Sequence, residues 1–218
     1  MDHKLLEYLE SFLTERRVAL FDKVLKERTQ HFTVAVEDVY QLHNTSAVIR
    51  SCESFGIQEL HVIEEVNAKR IDREIAMGAQ KWVDVKRHLS ASDCIKQLKK
   101  AGYRIVATSP HKGAHRLEDF DITQRAAIFF GRETEGLSDL VLDEADDYIY
   151  IPTVGFTESL NISVSAAITL QHITNKLKTS AIDWKFSEQE LFDKKLTWTK
   201  KMIKDIDGVM ERYNQEGK

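Results

Sequence analysis

The chain has 218 residues, is 42% hydrophobic and 30% charged, and carries a formal net charge of −4. That balance is too apolar for a disordered polymer, and the length suits one α/β domain with peripheral helices. The apolar runs are strand-sized, so no membrane span is expected, and the opening Met1-Asp2-His3-Lys4-Leu5-Leu6-Glu7 lacks the profile of a signal peptide.

Residues 4–29 read as a single helix, with Leu5, Leu6, Leu9, Phe12, Leu13, Val18, Phe21, Val24 and Leu25 on one apolar stripe. Its polar positions include Arg16, Arg17, Lys23, Lys26 and Arg28. Strand-like segments follow at Phe32–Val36, Glu59–Ile63, Trp82–Val85, Arg104–Thr108, Ala126–Phe130 and Tyr148–Ile151. Helical patterns fall between them at Thr45–Phe55, Ala91–Ala101, Ser138–Glu144 and Ser159–Lys178. This alternation predicts an α/β fold with a largely parallel sheet and helices on both faces. A last amphipathic helix over Ser187–Tyr213 carries Lys194, Lys195, Lys200 and Lys201. On charge alone the two basic ends are solvated helix faces. Residues 1–29 are therefore read as an N-terminal helical arm, 30–178 as the main domain and 179–218 as a C-terminal helical arm. Cys52 and Cys94 lack metal-like spacing and read as free thiols of a cytoplasmic protein.

Three segments carry candidate chemistry. Asn44 reads as a helix cap, with Thr45 and Ser46 opening the helix and Arg50 six residues further on. By spacing alone this is a cap followed by a surface arginine. Phe130-Gly131-Arg132-Glu133-Thr134-Glu135-Gly136-Leu137-Ser138 leaves a strand and turns at its glycines. It is not a P-loop, since no Gly-Lys-Ser/Thr follows, and no G-x-G-x-x-G follows the first strand. Ile151-Pro152-Thr153-Val154-Gly155 leads into Glu158-Ser159-Leu160-Asn161-Ile162-Ser163, where polar residues alternate with apolar ones at a helix entry. Loops at the carboxyl ends of parallel strands are where ligands bind. His111 and His115 have helical i, i+4 spacing, but Gly113 lies between them and no third ligand is near in sequence, so no metal is expected.

In this order, Asn44-x-x-Ala-x-x-Arg50, Phe130-Gly-x-Glu133-x-x-Gly136, and Ile151-Pro152 with Ser159-Leu160-Asn161-x-Ser163-Val164 resemble the SPOUT superfamily of S-adenosylmethionine-dependent RNA methyltransferases, in its TrmH branch. The resemblance covers about residues 28–178. It implies a trefoil knot in about 126–178, a homodimer, and transfer of a methyl group to a ribose 2′-hydroxyl. The subgroup most similar to this chain acts on guanosine 18 in the D-loop of tRNA. The same chemistry on ribosomal RNA and a catalytically silent RNA-binding protein are the alternatives. The resemblance implies that S-adenosylmethionine is held by Thr108, Ser109, Gly131, Glu133, Gly136, Ile151, Thr153, Val154 and Leu160. It assigns the catalytic site to Arg50, Asn44, Glu133, Ser159 and Asn161, with Arg50 acting on the 2′-hydroxyl. Candidate RNA contacts are Arg16, Arg17, Lys23, Lys26 and Arg28 at one end and Lys194, Lys195, Lys200 and Lys201 at the other.

Overall fold

The computed structural model describes residues 1–39, 42–65, 76–110, 113–132, 135–156 and 159–215. The chain divides into two compact units, residues 29–184 and residues 1–28 with 185–218.

The larger unit is built on seven described strands. They are β1 (Phe32–Glu37), β2 (Glu59–Ile63), β3 (Asp84–His88), β4 (Arg104–Thr108), β5 (His115–Arg116), β6 (Ala126–Phe130) and β7 (Asp147–Tyr150). Their order across the sheet is β3-β2-β1-β6-β4-β7-β5, and every pairing is parallel. Strands buried on both faces read as unbroken apolar runs, and β6, Ala-Ala-Ile-Phe-Phe, is buried at every position. Successive side chains serve opposite layers. Val34, Val36, Ile128 and Phe130 join the layer of α3 (Leu42–Phe55) and α6 (Ile162–Lys178). Ala35, Ala127 and Phe129 join that of α4 (Ala91–Lys100) and α5 (Asp139–Glu144).

Several boundaries differ from the sequence reading. The expected strand Trp82–Val85 begins only at Asp84, because Trp82 and Val83 both donate to the Ala79 carbonyl and close a 3-10 turn. The last long strand occupies Asp147–Tyr150, one residue earlier than expected, and the exposed pair His115–Arg116 adds an edge strand that the sequence did not signal. Helix α3 begins at Leu42, so Asn44 lies inside the first turn and is not its cap. Helix α6 begins at Ile162 and leaves Ser159 and Leu160 outside, because Asn161 caps it by accepting from Ser163 N at 2.8 Å.

The smaller unit holds α1 (His3–Glu10), α2 (Glu15–Leu25), α7 (Glu188–Met202) and α8 (Ile206–Gln215). Each terminal segment expected as one helix is two. At the N-terminal end, Thr14 restarts the chain as a cap for α2, accepting from Arg17 N. At the C-terminal end, Ile203 is extended and interrupts the pattern before α8. Ser187 and Glu190 form a reciprocal capping box at the start of α7. Lys195 on α7 pairs at 2.8 Å with both Glu10 of α1 and Asp22 of α2. Burial by itself lowers the Lys195 pKa, but the hydrogen bonds to Asp22 and Glu10 outweigh it and the pKa is raised. Arg28 is 1% exposed, with its guanidinium 5.5 Å from the centre of the Trp198 ring.

Candidate active site

The site lies where β1, β4, β6 and β7 end together. Val36 pairs with Phe130, Ala107 with Phe129, and Thr108 with Ile149, so their carboxyl ends are level. The chain winds outward through β1, β2 and β3, then returns to β4, and β6 later enters between β1 and β4. Such a reversal of strand order opens a crevice at the carboxyl edge.

Arg132 and Gly136, in the loop leaving β6, pair with each other through their main chains. Arg132 N donates to the Gly136 carbonyl at 2.9 Å, and Gly136 N donates back to the Arg132 carbonyl at 3.1 Å. A Cβ on Gly131 would stand 2.2 Å from the Gly136 carbonyl carbon and 2.3 Å from Leu137 N, so only glycine fits there. Gly136 has φ +71°, and nothing lies within 4 Å of where its Cβ would be.

Residues ending β1 pin both limbs of this loop. Glu37, almost fully buried, accepts from Ser138 N at 2.8 Å and from Ser138 Oγ at 2.6 Å. Ser138 in turn caps α5, so a carboxylate stands at the positive end of that helix. Asp38, also buried and at φ +44°, meets Arg132 Nη2 at 3.3 Å. Arg132 bonds Glu135 as well, and that bond, with the charges of Asp38 and Glu37, raises the guanidinium pKa despite partial burial. Glu37, Asp38 and Arg132 were missed by the sequence reading. Their only signal was two acidic residues closing an apolar strand.

Replacing Glu37 with alanine removes both acceptors from Ser138 and is expected to cost about 1.5–3 kcal/mol, the range for hydrogen bonds to a charged group. Glu37→Gln, which keeps an acceptor, should recover part of it. A denaturant titration checks this, and an unchanged midpoint for Glu37→Ala would contradict it.

The loop beyond β7 reaches the same edge. Thr108 Oγ1 donates to the Phe129 carbonyl at 2.7 Å and Ser109 N to the Ile149 carbonyl at 3.0 Å. These bonds fix the exit of β4 against its two neighbours. Ile151 is half-buried, while Thr153, Val154, Ser159 and Leu160 are exposed. Asn161 Nδ2 donates to Asn44 Oδ1 at 3.3 Å, joining two predicted site residues 117 positions apart. Asn44 is thus a buried partner of the β7–α6 loop. Arg50 is exposed on α3, about 9 Å of helical rise beyond Asn44. Glu133, predicted for both catalysis and cofactor binding, lies outside the described residues, as do Glu158 and His111.

Two of the predicted RNA contacts require correction. A guanidinium buried against Trp198 cannot meet a phosphate, which removes Arg28 from the set. Lys195 is committed to Glu10 and Asp22 and acts as a clamp among α1, α2 and α7. Arg16, Lys23, Lys26 and Lys201 are exposed, and Arg17, Lys194 and Lys200 are partly so.

Fold and site together define an open, all-parallel α/β protein whose candidate residues gather on loops at the carboxyl edge of the sheet. The sequence model of the SpoU rRNA methylase family matches residues 31–171, and the chain belongs to that family. It is 38% identical over 206 residues to the tRNA (guanosine(18)-2′-O)-methyltransferase of Borreliella burgdorferi, covering 94% of each chain. The crystal structure of the Aquifex aeolicus TrmH/SpoU tRNA modifying enzyme superposes with a TM-score of 0.78 at 28% identity, over 87% of this chain and 98% of that one. The SpoU methyltransferase AviRb from Streptomyces viridochromogenes, solved with AdoMet, shares the fold at TM-score 0.62 and 24% identity, over 72% of this chain and 65% of its own.

Proposed function

We propose that this chain is a cytoplasmic, S-adenosylmethionine-dependent tRNA ribose 2′-O-methyltransferase acting on guanosine 18 of the D-loop. The observation that carries the reading is the Asn161–Asn44 hydrogen bond at the carboxyl edge, which unites two separate motifs of the family pattern. The near-full-length similarity to a guanosine-18 enzyme supports the substrate.

The residues present fit the cofactor. Exposed backbone around Gly136, together with Ile151, Val154 and Leu160, offers peptide groups and apolar surface suited to a nucleoside. Among the described residues, Thr108, Ser109, Gly131, Gly136, Ile151, Thr153, Val154 and Leu160 would hold it, and Glu133 joins them by motif. When bound, S-adenosylmethionine supplies a methyl group already activated by its sulfonium. The protein then has to align the 2′-hydroxyl with that group and assist loss of its proton. A guanidinium hardly deprotonates at neutral pH. Arg50 therefore positions the ribose and an adjacent phosphate, and any base is that phosphate. Asn44 and Asn161 hold the loop against α3, Ser159 on that loop would contact substrate, and Glu133 is assigned by motif to orienting Arg50.

A trefoil knot in about residues 126–178 and a homodimer belong to the same reading. Helix α6 exposes Val164 and Ile168, one turn apart, and Val154 and Phe156 in the preceding loop are fully exposed. Replacing Val164 and Ile168 with glutamate is expected to yield monomers in light scattering. A dimer that survived both changes would put its interface elsewhere. The exposed basic side chains of the terminal helices are proposed as phosphate contacts. Neutralising Lys194, Lys200 and Lys201 together should weaken tRNA binding and flatten its dependence on salt, because fewer counterions are released. Unchanged affinity would take α7 out of the RNA surface.

The function is tested by methyl incorporation from labelled S-adenosylmethionine into unmodified tRNA and, separately, rRNA, with mapping of the product. A single 2′-O-methylguanosine at position 18 is expected. Label only in rRNA would overturn the substrate, and label in neither would overturn the activity.

A further inference from the structure

A second buried polar cluster lies on the outer strands β2 and β3, built from residues outside the candidate active site. His61 is central in β2, and His88 ends β3 opposite Ile63. Positions 61 and 63 share a face of the sheet, the face that Ile63 presents to α4. Cys94, in the first turn of α4, completes the group from above. Its three possible ligand atoms lie within 4.8 Å of one another, and all three residues are buried.

Hydrogen bonds hold the two histidine rings in fixed orientations. His61 Nδ1 stands 2.8 Å from His88 Nε2. His61 Nε2 stands 2.8 Å from Glu59 Oε1, and the other oxygen of Glu59 is held by Lys86 Nζ at 2.7 Å. A carboxylate paired to lysine accepts, so it takes the N–H of His61 Nε2. That leaves Nδ1 as the ring atom with a lone pair, directed toward His88. A carboxylate that orients one imidazole nitrogen while the other faces inward is the usual outer layer of a metal-binding histidine.

We propose that His61 Nδ1, His88 Nε2 and Cys94 Sγ form a binding site for one zinc-class divalent ion, with water as the fourth ligand. The donor set selects this class. Two imidazoles and a thiolate suit borderline-soft ions such as Zn²⁺ and Co²⁺, whereas Mg²⁺ and Ca²⁺ require oxygen donors. The geometry is close to what such an ion needs. Tetrahedral coordination at ordinary zinc distances separates two ring nitrogens by about 3.3 Å and a nitrogen from sulfur by about 3.6 Å. The histidine rings would part by about half an ångström, the Cys94 sulfur would move in from a separation of up to 4.8 Å, and the ion would replace the hydrogen bond now between the rings. His88, whose Nε2 donates the present bond, would move that proton to its Nδ1, and the Cys94 thiol would release its proton to solvent as the thiolate forms. The thiolate and Glu59 would then balance the two positive charges of the ion. Lys86, half-exposed beside Glu59, marks the near path from solvent. The ion would tie β2, β3 and α4 together at the sheet edge. Methyl transfer needs no metal, so this site is independent of the proposed reaction.

The test uses the full-length chain, stripped with a chelator and titrated with Co²⁺ alone. One equivalent should bind, with a thiolate-to-cobalt charge-transfer band in the near ultraviolet and tetrahedral d–d bands, all bleached by Zn²⁺. Cys94→Ala should abolish the charge-transfer band, whereas Cys52→Ala, which alters the thiol of the opposite layer, should retain it. Glu59→Gln should lower Co²⁺ affinity about 10- to 100-fold. Cobalt bound without a thiolate band, or a band that survives Cys94→Ala, would overturn the proposal. Should Cys94→Ala fail to fold, the unaltered chain still decides. One equivalent of Zn²⁺ should raise its melting temperature and remain bound through gel filtration, and absence of both would also overturn the site.

Discussion

An Arg50→Ala protein is expected to bind S-adenosylmethionine as the parent does, yet to transfer methyl groups about 100- to 1,000-fold more slowly, the usual cost of deleting one transition-state donor. Arg50 is exposed on α3, outside the loops assigned to the cofactor. Its loss leaves the Gly131–Gly136 turn and the Asn44–Asn161 bond in place. On the proposed mechanism, the guanidinium grips ribose and phosphate most strongly as the hydroxyl reacts, so the deficit should appear in kcat more than in KM. Arg50→Lys keeps the charge but loses the planar two-pronged grip, and should recover only part of the rate. Single-turnover kinetics beside calorimetric titration of cofactor separates these effects. Full activity in Arg50→Ala would remove Arg50 from the mechanism.

Gly131→Ala should damage the protein in a different way. Its new methyl would fall within 2.2–2.5 Å of the Gly136 carbonyl and Leu137 N, all of it main chain with no flexible end to swing aside. The two limbs of the loop must separate, which breaks the paired hydrogen bonds between Arg132 and Gly136. Overpacking of this kind costs about 1–3 kcal/mol. If the same loop holds the cofactor, affinity should fall about tenfold for each 1.4 kcal/mol spent on reshaping it. Gly136→Ala meets no neighbour but must keep φ at +71°, a penalty of about 1–2 kcal/mol for a residue with a side chain. Melting temperature and cofactor titration on both variants form the check. A Gly131→Ala chain that melted and bound cofactor like the parent would show that the loop need not be folded so tightly.

Much of this architecture could be read from local pattern. The strands β1, β4 and β6 stood out because residues buried on both faces leave short apolar runs, β2 because Leu60, Val62 and Ile63 surround its two polar residues, and four of the helices lay where the periodicity changed. The motifs around Asn44, Phe130 and Ile151 were equally legible, since each departs from the periodicity of its neighbours at the end of a strand. Errors gathered where local chemistry competed with periodicity. The apolar stripe runs through both terminal segments, yet the Thr14 cap and the extended Ile203 break each into two helices. Asn44 looked like a cap because asparagine favours that position, but its carboxamide serves Asn161 instead.

The sequence by itself determined the α/β class and the family, because these depend on residue type and short-range spacing. Tertiary structure alone decided which residues meet. Insertion of β6 between β1 and β4 brings Glu37 to Ser138 and Asp38 to Arg132, pairs with no relation in spacing. Packing of the terminal helices withdrew Arg28 from solvent and committed Lys195 to Glu10 and Asp22. The convergence of His61, His88 and Cys94 likewise follows from strand register and from α4 crossing above them. A charge or a ligand atom takes its role from its neighbours in space, and for residues this far apart in the chain only the folded sheet supplies those neighbours.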